Sequence, residues 1–82
     1  MRMDDEAYRT RSLYAAAFLL ACDFPLLGST LDAQGRTEFA FGGDAQDLEG
    51  RLAEYRSGRA LINAQRFGSE LRRLKAILHG SD

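Results

Sequence analysis

Ten consecutive apolar residues, Leu13-Tyr14-Ala15-Ala16-Ala17-Phe18-Leu19-Leu20-Ala21-Cys22, dominate the pattern of this chain. Apolar side chains on every side of a helix require neighbours on more than one face, so the run predicts a central helix over about residues 11–22. Thr10 is its expected N-cap, and Asp23 with Pro25 ends it, because proline lacks the amide that the ladder needs. Leu26 to Leu31 and Arg36 to Phe41 then read as two strands joined by the turn Asp32-Ala33-Gln34-Gly35. In the second strand Thr37, Phe39 and Phe41 alternate with Glu38 and Ala40, which puts both phenylalanine rings on one face, against the first helix. Two strands alone are marginal in water, so that packing is required.

Gly42-Gly43 breaks the strand, and Asp44 with Asp47 marks the start of a second helix. Its apolar stripe is Ala45, Leu48, Leu52 and Tyr55, and it stops near Ser57-Gly58. An extended link, Arg59-Ala60-Leu61-Ile62, leads to Asn63, the expected cap of a last helix with the stripe Phe67, Leu71, Leu74 and Leu78 before His79-Gly80. The fold class is therefore α+β in the order α-β-β-α-α, a β-hairpin packed on three helices, with residues 1–9 as a frayed leading segment or an upstream extension of the first helix.

Length and charge sharpen this picture. Eighty-two residues make one domain, and a chain this short buries only roughly 60–65% of its extended surface, so the core is thin and a deep cavity is hard to fit. The net charge of −1 is unevenly spread. Residues 1–50 carry four arginines against nine acids, for −5, and residues 51–82 carry seven Lys or Arg against three acids, for +4. A single cysteine allows no internal disulfide and fits a cytoplasmic location. The apolar run covers about half of a bilayer's hydrocarbon thickness as helix, so no membrane span is expected. With Arg2, Arg9 and Arg11 ahead of it, and Leu19-Leu20-Ala21-Cys22 at its end, it also looks like a lipoprotein signal, which would give an envelope protein anchored at Cys22. Asp4, Asp5 and Glu6 are the wrong charge for such a leader, and a cut before Cys22 would discard the most hydrophobic segment.

Several segments together are familiar: Ser12-Leu13-Tyr14-Ala15-Ala16-Ala17-Phe18-Leu19-Leu20-Ala21, Phe24-Pro25-Leu26-Leu27-Gly28, Phe39-Ala40-Phe41, and Tyr55-Arg56-Ser57-Gly58 through Asn63-Ala64 to Leu71-Arg72-Arg73-Leu74-Lys75-Ala76. Over roughly residues 8–78 the chain resembles a small bacterial domain family of unknown function associated with phages and other mobile elements. The resemblance implies the succession of apolar helix, Phe-x-Phe strand and basic terminal helix, and it brings no catalytic residue across. Many members carry a tryptophan after the tyrosine that corresponds to Tyr55, where this chain has Arg56, and Cys22 stands at a position of small residues.

Candidate chemistry is sparse. His79, the only histidine, sits at the far end of the terminal helix, where its positive form suits the dipole. Cys22 in an apolar run behaves as a small hydrophobe with a raised thiol pKa. Acids at Asp4-Asp5-Glu6 and at Asp44/Asp47 suit helix starts, no His/Cys cluster offers metal ligands, and Gly42-Gly43 lacks the Lys-Ser/Thr ending of a phosphate loop. No enzyme and no cofactor are expected. The basic second half is the remaining feature. Arg56, Arg59, Arg66, Arg72, Arg73 and Lys75, interleaved with Tyr55 and Phe67, form a candidate surface for phosphates and unpaired bases. The competing reading makes the same cations the solvated faces of two amphipathic helices, with Tyr55 and Phe67 in the core. Arg66 and Arg73 share a helix face with Glu70 between them, which cancels part of their field, and Arg59 stands on a loop, free of helical periodicity.

These residues predict a non-enzymatic binding module for nucleic acid or a nucleic-acid-processing complex, of the kind that the resemblance links to phages and other mobile elements. The alternative is a protein-interaction module, such as an inhibitor or adaptor, working through the hairpin edge or the acidic half. An exposed edge offers unpaired amides and carbonyls to a partner, a second copy forming a homodimer included.

Overall fold

The computed structural model describes residues 7–78 of the chain. Six elements follow one another: β1 (Tyr8–Thr10), α1 (Leu13–Ala21), β2 (Leu26–Leu31), β3 (Thr37–Phe41), α2 (Ala45–Ser57) and α3 (Ala64–Leu78). The expected α+β class holds, and the expected two-stranded hairpin is corrected to a three-stranded antiparallel sheet in the order β1-β3-β2. Tyr8, Arg9 and Thr10 pair with Phe41, Ala40 and Phe39, so this part of the leading segment is a strand and not a frayed end. Three residues are too short to display alternation, and only the otherwise open edge of β3 turns them into a strand. The other expectations for residues 1–6 and for His79 lie outside the described residues.

α1 begins at Leu13, with the apolar run itself and two residues later than a Thr10 cap implies. Ser12 is the cap, its hydroxyl accepting the Ala15 amide at 3.1 Å, while Thr10 closes β1 and its hydroxyl accepts the Ser12 amide at 3.0 Å. Every residue from Ala15 to Leu20 is buried, as all-round hydrophobicity demands. At the other end the Phe24 amide reaches the Leu19 carbonyl (3.0 Å) and the Asp23 amide the Leu20 carbonyl (2.9 Å), a Schellman closure. Asp23 takes the left-handed position there, with φ 71°, and turns Phe24 back into the core.

The sheet supplies the second wall of the core. Phe39 and Phe41 are both buried, and Tyr8 and Leu26 pair with Phe41 in the flanking strands and pack partly buried against the same cluster. An irregularity between Leu26 and Gly28 shifts the β2 register by one residue before Ser29 meets Phe39. α2 starts at Asp44, whose carboxylate accepts the Gln46 amide, and contributes Leu48 and Leu52 to the core. α3 starts at Asn63, whose side-chain oxygen accepts the Arg66 amide at 2.8 Å. Two stripe positions prove to be solvent-facing: Ala45 in the first turn of α2, and Leu78 at the end of α3. The nine residues of α1 span about 13 Å and the fifteen of α3 about 22 Å, so the last turns of α3 outrun the helix they pack against.

Candidate nucleic-acid interface

The six candidate cations divide into three arrangements, and the division begins with Glu70. That residue lies on the side of α3 that faces the core, with a side chain 8% exposed. A buried carboxylate must be bonded. It accepts from Arg66 Nε at 3.1 Å, one turn before it, and from Arg73 Nη1 at 2.7 Å, three residues after it. Arg66 reaches further: its Nη2 donates to the Asp23 carboxylate and to the Leu20 carbonyl, both at 2.9 Å. One guanidinium therefore fastens the start of α3 to the C-terminal end of α1, adding a second bond to a carbonyl that the Asp23 amide already pairs. Its hydrogen bonds to Asp23 first, and to Glu70 next, push the Arg66 pKa above the ordinary arginine value.

Arg66 and Arg73 thus come together around one carboxylate, and Arg66 serves the fold. Asp23 and the burial of Glu70 are the parts of this network that sequence reasoning missed. Glu70 stands at i+4 from Arg66 and i−3 from Arg73, a readable spacing, whereas its burial follows only from the approach of α1.

Arg59, Arg72 and Lys75 form the second arrangement: all three are exposed, and among the described residues none pairs with a carboxylate. Arg72 and Lys75 are three apart on α3 and share a side of it. Arg59 follows Gly58, which takes the left-handed conformation (φ 80°) and closes α2, its amide bonding Tyr55 O while the Arg59 amide bonds Glu54 O. Leu61, two residues on, is 97% exposed, and Ala60 and Ile62 pack against the core, so the link alternates inward and outward as an extended segment does. Arg56 stands apart as the third arrangement, its Nη2 lying 3.4 Å from the Tyr8 hydroxyl of β1.

The aromatic candidates are half-buried. Tyr55 stacks on Phe18 of α1 with ring centroids 4.8 Å apart and 27° between planes, and Phe67 packs against the same core cluster. Together with Gly58, Ala60 and Ile62 these rings line an apolar hollow of about 290 Å³. A larger, polar hollow of about 490 Å³ lies on α3 beside the end of α1, between Ala21, Asn63, Gln65, Arg66, Ser69 and Arg72. Gln65, Ser69 and Arg72 recur at four- and three-residue steps, which places them along one side of the helix.

Cys22, at the end of α1, is half-buried, and burial pushes its thiol pKa up against the opposing pull of Arg51. Among the described residues no three His, Cys, Asp or Glu side chains converge as metal ligands. No described helix is long and apolar enough to cross a membrane. The edge named for a protein partner is β2, which among the described residues pairs only with β3, carries no charged residue and leaves Leu27 and Leu31 exposed. Fold and surface together define a small α+β domain with a cation-bearing terminal helix. No family model, curated protein or solved structure matches this chain significantly.

Proposed function

We propose that this domain is a non-enzymatic binding module that contacts nucleic acid, alone or within a nucleic-acid-processing complex, of the kind carried by phages and other mobile elements. The observation that carries the proposal is that Arg59, Arg72 and Lys75, exposed cations in the second half of the domain, have no carboxylate partner among the described residues. Charges with an internal partner build structure. Charges without one set the field that an approaching polyanion meets, and neutralising its phosphates releases condensed counterions. Arg66 and Arg73 add guanidinium groups held in place by Glu70, and Arg56 adds a cation beside Tyr8. Tyr55 and Phe67 contribute to the core, so the reading rests on phosphate contacts and not on base stacking.

Binding of a labelled single-stranded oligonucleotide at low ionic strength tests this directly. Arg59→Ala combined with Lys75→Ala is expected to weaken binding by roughly tenfold or more. Both side chains are exposed, so the melting temperature should stay close to that of the parent chain. Arg66 is unsuitable for such a test, because its removal would leave Glu70 buried without a partner on one side. Equal affinity of the parent and the double variant would contradict the proposal.

A further inference from the structure

We propose that the polar hollow between Ala21 and the first half of α3 is a phosphate-binding site. Its identification as a seat for the phosphodiester of a nucleic-acid strand rests on the function proposed above; the hollow's preference for phosphate does not.

The argument starts from the donors. A guanidinium offers five N–H groups in a fixed plane. Arg66 commits Nε to Glu70 and Nη2 to Asp23 and the Leu20 carbonyl. Those bonds fix the plane of the group, and Nη1 makes no hydrogen bond among the described residues. Arg66 therefore lines the hollow as a positioned donor that loses little freedom when a ligand arrives. Arg72 lines it too, with only a long 3.4 Å approach of its Nη2 to Ser69 Oγ and no carboxylate partner among the described residues. Arg66 and Arg72 line, with Ser69 and Gln65, an open hollow of about 490 Å³. All four can donate, and the tetrahedral oxygens of a phosphate accept from several directions at once.

Charge selects the ligand class. Asp23 and Glu70 compensate Arg66, so the uncompensated positive charge at the hollow is that of Arg72. A lone carboxylate would satisfy one guanidinium, whereas a phosphate has the oxygens to bridge both. The two carboxylates behind Arg66 limit the affinity, which fits one contact in a longer strand-binding surface better than a tight site for a free metabolite.

The test is an NMR titration of the full chain with inorganic phosphate, read at the backbone amides of Gln65 and Ser69 and at the Nε–H groups of Arg66 and Arg72, against chloride at matched ionic strength. Saturable shifts confined to residues 63–72 and Ala21 are expected, retained in Arg59→Ala and lost in Arg72→Ala. Arg72→Lys, which keeps charge without the planar fork, is expected to restore only part of the response. Shifts that chloride reproduces, or that survive in Arg72→Ala, would overturn the site. A single-stranded oligonucleotide then separates the two claims. If it competes with phosphate for these resonances, both stand. Should phosphate saturate while the oligonucleotide leaves the hollow untouched, the site stands and its assignment to a nucleic-acid strand fails. Oligonucleotide binding unchanged by Arg72→Ala would sink that assignment and leave the function to Arg59 and Lys75.

Discussion

Asp32 shows how one side chain can set a local conformation. Its Oδ1 accepts the Gln34 and Arg36 amides, both at 2.9 Å, and its Oδ2 accepts Arg11 Nη1 at 2.9 Å. The turn between β2 and β3 is thereby tied to the segment that leads into α1. The Arg36 amide, more than any other group, holds the Asp32 carboxyl below its ordinary pKa. A depressed folded-state pKa means that the unfolded chain takes up the proton first as pH falls. The stabilisation is therefore complete above the ordinary value of about 3.9 and is lost as pH falls through the lower folded value. Asp32→Asn should melt below the parent chain at neutral pH, and the gap should close on acidification from about pH 5 to about pH 2. A gap that stays constant over that window, followed by thermal melting, would contradict this account of the turn. At this scale the sequence was informative about partners near in the chain. The Asp44 and Asn63 caps, and the bonds from Arg66 and Arg73 to Glu70, follow from spacing. The link from Arg66 to Asp23 joins residues 43 apart, and only the docking of α3 on α1 creates it.

The elements were legible where composition and period agreed. The all-apolar run became the buried α1, and the alternation around Phe39 and Phe41 became the inner face of β3. β1 was not legible, because its three residues gain their conformation from β3 and from no pattern of their own. Connections between elements carry equally specific demands. Gly43, between β3 and α2, has φ 114°, and a Cβ built there would lie 2.9 Å from the ring of buried Phe24. Gly50, inside α2, has open space around the same position. The two glycines should respond to alanine with opposite signs. Gly43→Ala is expected to cost about 1–3 kcal/mol, through strain and a forced shift of Phe24. Gly50→Ala is expected to stabilise by about 0.5–1 kcal/mol, because alanine restricts the unfolded chain and favours the helix. Urea unfolding followed by circular dichroism measures both. Equal effects would mean that the packing of Phe24 over the β3–α2 connection is wrong.

For the molecule as a whole, the division of charge along the chain becomes a division between cations that pair with an internal carboxylate and cations that do not, among the described residues. Arg66 and Arg73 close on Glu70 and Arg11 closes on Asp32, while Arg59, Arg72 and Lys75 have no carboxylate partner among the described residues. The basic character of residues 51–82 was readable from the sequence. Which cations stay uncommitted was not, since that depends on the burial of Glu70 and on the contact between α1 and α3. The central claim is that these uncommitted cations neutralise the phosphates of a nucleic-acid strand. Its most direct measurement is the dependence of oligonucleotide affinity on salt. Single-strand contacts contribute a slope of about −0.7 each to log K against log salt concentration, so Arg59, Arg72 and Lys75 together predict a slope of about −2. Neutralising Arg59 and Lys75 to alanine should reduce the steepness by about 1.4. A flat salt dependence, or a slope that the two substitutions leave unchanged, would contradict the account.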